Sequence, residues 1–106
     1  MSIPGSLLVG HFIGDFLLQS DWMAINKSKR IEALLLHVAV YSLCFVWLGL
    51  AFVAATIVTH FAVDFVTSRV NAKLWAANQR HWFFVCIGFD QLLHYTTLAW
   101  TYRLLI

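Results

Sequence analysis

The chain has 106 residues, enough for one domain, and 61% of them are hydrophobic while only 11% are charged. Soluble domains carry about 25% charged residues, so a soluble fold of this length could not bury so much apolar surface, and a lipid environment is predicted instead. The net charge of +2 is too small to indicate nucleic-acid binding.

An all-α, polytopic membrane protein is predicted from four apolar runs, because a spanning helix needs roughly 20 apolar residues. In chain order the predicted helices of this four-helix bundle cover residues 3–19, 31–48, 50–66 and 82–106. The middle two are separated because residues 31–66 would form one helix about 54 Å long, far beyond a hydrocarbon core of about 30 Å. Gly49 is the best candidate for the turn between them.

The two polar connections, residues 20–30 and 67–81, have helical spacing of their apolar residues. They are predicted to lie along the membrane interface as short amphipathic helices. They carry six of the seven basic residues, namely Lys27, Lys29, Arg30, Arg69, Lys73 and Arg80. Because Lys and Arg are enriched in cytoplasmic loops, both connections are expected in the cytoplasm and both termini outside. The same cations are expected to attract anionic lipid headgroups.

Aspartates and histidines recur inside the predicted helices, at a similar depth in the cytoplasmic half of the bilayer. The residues concerned are His11, Asp15, His37, His60, Asp64, Asp90 and His94. Three His/Asp pairs among them are spaced four apart, so each pair shares one helix face. A carboxylate near the membrane centre costs roughly 2.5–3.5 kcal/mol, and it needs either a protonated histidine or a metal ion as a partner. Imidazole with carboxylate suits Zn²⁺, Mn²⁺ or Fe²⁺, and we expect these residues to hold one or two such ions.

Several features leave alternatives open. A single histidine in a membrane-spanning helix is usually a hydrogen-bonded packing residue, and a single His/Asp pair could be a salt bridge. The recurrence of such pairs at one depth is what favours a shared site. Gln19 and Gln91 are predicted either to hold the ligands in place or to join helices by hydrogen bonds. The stretches "GHFIGDFLLQ" (10–19) and "THFAVDFVTS" (59–68) are similar, which indicates two duplicated helical hairpins related by an axis normal to the membrane.

The stretch "HFIGDFLLQSDWMAINK", with a histidine early in the next helix and then "HFAVDF" and "DQLLHY", resembles a small bacterial and phage membrane-protein family of unknown function. The signature is H-x-x-G-D-F-x-x-Q, at His11, Gly14, Asp15, Phe16 and Gln19. The resemblance covers nearly the whole chain. Together with the predicted orientation, this resemblance implies that the protein lies in the bacterial inner membrane and that its chain crosses this membrane four times. A looser similarity, in helix count and His/Asp pattern, is to predicted membrane-bound metal-dependent hydrolases.

The leading interpretation is a metal-dependent hydrolase that acts on a lipid-associated or phosphoester substrate at the cytoplasmic leaflet. In that reading the metal lowers the pKa of a bound water to about 7, and a carboxylate free of the metal is the general base. The alternatives are a proton or metal-ion transporter or channel subunit and a structural subunit of a larger membrane complex. The expected partners are membrane lipid and either further copies of the chain or a larger complex, with no nucleic acid.

Overall fold

The computed structural model describes residues 4–106, and this part of the chain is all-helical, as predicted. It contains five α-helices, which are α1 (Gly5–Phe12), α2 (Asp21–Asn26), α3 (Ile31–Leu43), α4 (Leu50–Ala76) and α5 (Arg80–Leu105). A π-helical turn, Ile13–Leu17, continues α1 directly, and a 3₁₀ turn, Val46–Leu48, follows α3. Ile3, the first residue of the first predicted helix, lies outside the described residues.

Capping residues explain several of these helix ends. Ser20 precedes α2, and its hydroxyl accepts a hydrogen bond of 3.2 Å from the Met23 amide, which satisfies a free N–H of the first turn. Gly49 separates α3 from α4 at a φ of 98°, a conformation that favours glycine, so the predicted turn residue is confirmed. Asn78 follows α4 in the left-handed region, at a φ of 61°, which is a common way to end a helix.

The structure differs from the sequence prediction over residues 67–81. These residues are predicted as a separate amphipathic connection, but α4 continues without a break to Ala76, and α5 begins at Arg80. The reason is that Thr67 and Ser68, which follow the apolar run, are buried within the helical packing. Their polarity therefore marks an inward-facing strip of one long helix and not the end of a helix. In the other connection, residues 20–30, a short helix does form as α2.

Among residues 4–106, α4 is the one helix that is both long and apolar enough to cross a membrane. The other apolar helical segments, Gly5–Leu17 and Ile31–Leu43, are shorter than the roughly 17 residues that a span needs. The helix α5 is long enough at 26 residues, but polar side chains make it less hydrophobic than α4. The described residues thus provide one candidate span, and the predicted set of four spans does not follow from helix length and composition.

The helices bury an apolar cluster next to a group of histidines and aspartates. The long helices α4 and α5 form the main antiparallel pair, with α3 against α4 and α1 against α5. At the level of the α3–α4 turn lies an apolar cluster, formed by Leu7, Tyr41, Phe45, Phe52 and Leu98. Beyond this cluster, towards α2 and the α4–α5 turn, buried histidines and aspartates lie with Thr67 and Ser68 among apolar residues such as Leu34 and Val38. The apolar cluster thus closes one end of this polar group.

Candidate metal centre

Three imidazoles and two carboxylates converge inside the bundle. His37 Nε2 lies 3.0 Å from Asp15 Oδ1 and 3.2 Å from Asp64 Oδ2. His60 Nε2 lies 3.5 Å from the same Asp64 oxygen and 3.1 Å from His37 Nε2. His94 Nε2 lies 3.3 Å from Asp64 Oδ1. All five side chains are buried, so Asp64 sits among three imidazole nitrogens that point at its carboxylate.

A third carboxylate extends this group. Asp90 Oδ1 lies 3.0 Å from His94 Nε2 and accepts a hydrogen bond of 2.5 Å from the Thr67 hydroxyl. The Gln91 amide donates to the other Asp90 oxygen at 3.4 Å. We call the six residues that carry these carboxylates and imidazoles the His/Asp centre, and they are Asp15, His37, His60, Asp64, Asp90 and His94. They come from the π-helical turn, α3, α4 and α5.

The π-helical turn brings Asp15 into the centre by a close approach to α3. A Cβ built on Gly14 would lie 2.8 Å from Tyr41 Cδ2 and 3.1 Å from Tyr41 Cα. A side chain at this position would therefore push the turn away from α3 and carry Asp15 with it. Single π-helical turns occur frequently at functional sites. The glycine directly before Asp15 in the sequence is explained by this packing.

Stacked rings fix the imidazoles relative to one another. The ring of Tyr41 stacks on His60 at 3.9 Å between centroids, and His60 stacks on His94 at 4.0 Å. Tyr41 is not among the site residues predicted from the sequence. The signal that could have found it is the spacing of four between His37 and Tyr41, which places both on one face of α3.

His11 differs from the other predicted ligands, because both of its ring nitrogens are engaged elsewhere. Its Nε2–H donates to Gln91 Oε1 at 2.6 Å, and Nδ1 accepts from the Tyr41 hydroxyl at 2.7 Å. The distance from His11 Nε2 to the nearest Asp15 oxygen is 3.9 Å. The structure therefore places His11 at the edge of the centre, where it holds Tyr41 and Gln91.

The geometry offers two overlapping sets of metal ligands. Asp15, His37, His60 and Asp64 provide one ligand atom each within 4.8 Å of one another, and Asp15, Asp90 and His94 form the second set. Carboxylates and imidazoles are ligands that Zn²⁺, Mn²⁺ and Fe²⁺ accept. In most metal sites the second ring nitrogen of each histidine donates to another group. Here Nδ1 of His37, His60 and His94 has no partner among the described residues, and in this respect the centre differs from such sites.

Lys27 was predicted to bind lipid headgroups, but the structure places its ammonium at the centre. Nζ lies 3.2 Å from Asp64 Oδ2, and the side chain is only 17% exposed. Lys27 follows α2 directly, so this ion pair joins α2 to α4. The other predicted headgroup-binding residues are exposed or half-buried on the same side of the molecule, and they are Lys29, Arg30, Arg69, Lys73 and Arg80.

Beside the centre, on the Lys27 side, lies a cavity of about 630 Å³, which we call the Lys27 cavity. Its walls come from the α2 region, α4 and α5. Polar side chains on its walls are Gln19, Lys27, Ser28, Lys29, Ser68 and Asn71, and the larger apolar ones are Ile25, Trp75, Phe83 and Ile87. Of the two glutamines singled out in the sequence, Gln91 contacts the centre, whereas Gln19 lines this cavity.

Comparison with known proteins identifies the family of the chain but finds no relative of established function. No curated protein matches the chain, and no solved structure matches it. A family model described as protein of unknown function (DUF3307) matches residues 5–106, which is nearly the whole chain. The chain therefore belongs to the DUF3307 family.

Proposed function

We propose that the chain is a membrane-embedded, metal-dependent hydrolase that acts on a lipid-associated or phosphoester substrate at the cytoplasmic leaflet. The observation that carries this proposal is the convergence of three imidazole Nε2 atoms on two carboxylates in a buried position. Buried carboxylates need compensating positive charge. Apart from the histidines, Lys27 is the cationic side chain that pairs with the centre among the described residues. A divalent ion bound by neutral imidazoles would supply the remaining positive charge.

The ligand sets indicate which side chains would hold the metal. Asp15, His37, His60 and Asp64 would hold a first ion, and a second ion would use the set that contains Asp90. A bound divalent ion supplies a Lewis acid for attack on a phosphoryl group. With one ion in the first set, Asp90 stays free of it. Asp90 is the most exposed of the three carboxylates, at 7%, and is our candidate for the general base that takes a proton from water.

The membrane setting is supported by where polar and apolar side chains lie. Among the described residues, many buried side chains are polar or charged, whereas large apolar side chains cover the outside of every helix. In soluble proteins charged residues are rarely buried and apolar patches are small. We propose that α4 and α5 cross the bilayer, and that α1 with its π-helical turn and α3 cross a locally thinned part of it. The basic connections then face the cytoplasm.

Metal content tests the proposal directly. The protein purified in a neutral detergent should contain about one or two equivalents of a transition metal, measured by elemental analysis. Removal of this metal by a chelator should lower the melting temperature, because a ligand that binds only the folded state stabilises it. A metal-free protein whose melting is insensitive to added Zn²⁺, Mn²⁺ and Fe²⁺ would refute the metal-dependent function.

One observation favours a second candidate, a proton pathway. His37 Nε2 and His60 Nε2 lie 3.1 Å apart, and both contact carboxylates, so the centre forms a continuous chain of titratable groups. Such chains serve proton relays in membrane proteins. Proton flux across the membrane of vesicles that contain the metal-free protein would favour this function. If a variant without the His37 imidazole showed the same flux, the His/Asp centre would not be the proton pathway.

A further inference from the structure

We propose that the Lys27 cavity binds the phosphate of an anionic phospholipid, and that Lys27 alternates between this phosphate and Asp64. The inference rests on the proposed metal-dependent function. It adds to that function the chemical class of the substrate and the residue that couples substrate binding to metal binding. The observations that carry it are the polar atoms on the cavity wall and the position of the Lys27 ammonium.

The cavity wall contains polar atoms that have no partner among the described residues. They are the Ser68 hydroxyl, Gln19 Oε1 and Asn71 Oδ1, and all three residues line this one cavity. Ser68 is only 7% exposed. Buried polar atoms are normally hydrogen-bonded, so three unpartnered atoms around one space indicate a polar ligand. The Ser68 hydroxyl can donate to a phosphate oxygen, whereas Gln19 Oε1 and Asn71 Oδ1 are acceptors and suit the hydroxyl groups of a headgroup.

Charge and shape restrict the ligand further. Lys27 and Lys29 both line the cavity, and none of its described lining residues is acidic. This charge distribution favours an anionic ligand. The rest of the wall includes Trp75, Phe83 and Ile87, which suit the glycerol and the first methylene groups of an acyl chain. The volume of about 630 Å³ lies within the range of about 300–1,000 Å³ that is usual for small-molecule sites. A phospholipid would use both halves of the cavity, whereas free phosphate would use only the polar half.

Lys27 connects the cavity to the centre because it belongs to both. Its ammonium lies 3.2 Å from Asp64 Oδ2, and that same oxygen is 3.2 Å from His37 Nε2. A divalent ion held by Asp64 and His37 would therefore place a second cation against the ammonium, and like charges at this distance repel strongly. The lysine stem is flexible, and the cavity lies beside it. Metal binding should thus release Lys27 towards the cavity, where a phosphate replaces Asp64 as its partner.

This arrangement makes the two ligands cooperative. A phosphate that holds Lys27 in the cavity removes a competitor of the metal, and the metal in turn frees Lys27 for the phosphate. By linkage each ligand must raise the affinity for the other by the same factor. The coupling should disappear when residue 27 carries no charge.

The test compares the parent with Lys27→Met, Lys27→Arg and Lys29→Met, each as the full chain in maltoside detergent, stripped of metal. Titration with Zn²⁺ should show about tenfold tighter binding to Lys27→Met, because the competing cation is gone. Lys29→Met is the matched control, since it removes a cavity charge that does not contact Asp64, and its Zn²⁺ affinity should equal that of the parent. Lys27→Arg keeps the charge and should bind Zn²⁺ like the parent, which separates competition from a change in packing.

The lipid half of the test adds short-chain phosphatidylglycerol to the same samples. It should tighten Zn²⁺ binding to the parent by about tenfold and leave the Zn²⁺ affinity of Lys27→Met unchanged. Short-chain phosphatidylcholine, which has no net charge, should act more weakly. Inorganic phosphate that is as effective as phosphatidylglycerol would overturn the lipid as the ligand.

The outcomes separate this inference from the function on which it rests. A parent that binds none of Zn²⁺, Mn²⁺ and Fe²⁺ overturns the proposed hydrolase, and the coupling with it. A parent that binds Zn²⁺ with the same affinity as Lys27→Met leaves the metal centre standing and overturns the role of Lys27. Zn²⁺ binding that phosphatidylglycerol does not change overturns the assignment of the cavity.

Discussion

Asp64 is the residue on which the interpretation of the centre depends most. Its two carboxylate oxygens lie within 3.5 Å of Nε2 of His37, His60 and His94 and of the Lys27 ammonium. The side chain is 1% exposed. A metal site and a hydrogen-bonded packing layer both explain such burial, but only a metal site predicts that loss of the carboxylate charge removes a stabilisation by added metal.

We expect Asp64→Asn to fold and to bind metal much more weakly, because an amide oxygen is a poor replacement for a carboxylate. The parent should gain about 2.7 kcal/mol of stability when the free metal is a hundredfold above its Kd, and the variant should gain far less. Thermal unfolding with and without Zn²⁺ measures both quantities. If Asp64 only pairs with Lys27 and the imidazoles, asparagine should still destabilise the protein, because the buried Lys27 ammonium loses its partner. In that case neither protein should respond to metal.

Asp21→Asn is the matched control for this exchange. Asp21 is exposed in the first turn of α2 and makes no contact with the centre. Its replacement should leave both metal content and the response to Zn²⁺ unchanged. A loss of metal in this variant would mean that a general change in charge, and not ligand removal, weakens binding.

The imidazole ligands also predict a pH dependence. A histidine binds metal only in its neutral form, so protons compete with the ion, and the stabilisation by metal should fall as the pH falls. We expect the difference in melting temperature between metal-loaded and chelated protein to be large at about pH 8 and small at about pH 5. A difference that stays constant over this range would contradict ligation by His37, His60 or His94.

At the level of elements, the π-helical turn controls the position of Asp15. Gly14→Ala would place a methyl group 3.1 Å from the Cα atom of Tyr41, and backbone cannot rotate away as a flexible side chain can. We expect a loss of roughly 1–3 kcal/mol in stability and weaker metal binding, since Asp15 moves with the turn. Thermal unfolding and a Zn²⁺ titration measure the two effects separately.

Gly88→Ala on α5 is the control, because a Cβ there meets no atom within 4 Å. Alanine is a better helix former than glycine by about 1 kcal/mol, so this variant should be as stable as the parent or more stable. Equal destabilisation by both exchanges would show that the effect at Gly14 does not come from its contact with Tyr41.

The extent of α4 shows which elements the sequence could and could not predict. The turn at Gly49 was predictable because an apolar run of that length cannot stay in one bilayer as a single helix. The continuation of α4 to Ala76 was not, because polar residues after an apolar run usually mean that the chain has left the membrane. Thr67 and Ser68 instead face the interior, and Asp90, which accepts a hydrogen bond from Thr67, is far away in sequence.

At the level of the whole molecule, the proposed orientation predicts different exposure of the two ends. In a variant with Cys44 and Cys86 replaced by alanine, a cysteine introduced at Ile106 should react with a membrane-impermeant thiol reagent added to intact cells. A cysteine introduced at Lys73 should react only after the membrane is opened. Both positions are exposed on the protein, so a difference in reactivity would report the membrane barrier. Reaction at Lys73 in intact cells would reverse the orientation.

Part of the candidate site could be predicted because each His/Asp pair spaced four apart shares one helix face, and the expected helix directions placed these faces at one level. This argument brought Asp15, His37 and Asp64 together without any knowledge of their contacts. It could not separate His11 from the ligands, because the hydrogen bonds that engage both His11 nitrogens come from α3 and α5. Nor could it find Lys27, because a lysine in a basic connection is normally solvated, and only the close packing of α2 brings it to Asp64.

The stacked rings of Tyr41, His60 and His94 have a consequence for how an ion would enter. Each ring turns about only two side-chain bonds, and stacking at 3.9 and 4.0 Å, together with burial, already restricts both. The side chains of His60 and His94 therefore have little conformational entropy left to lose when their Nε2 atoms bind a metal ion. The apolar cluster shares Tyr41 with this stack, and none of its five members is among the candidate ligands. Unlike a zinc finger, which unfolds without its metal, this chain would thus behave as a rigid receptor that can be emptied and refilled.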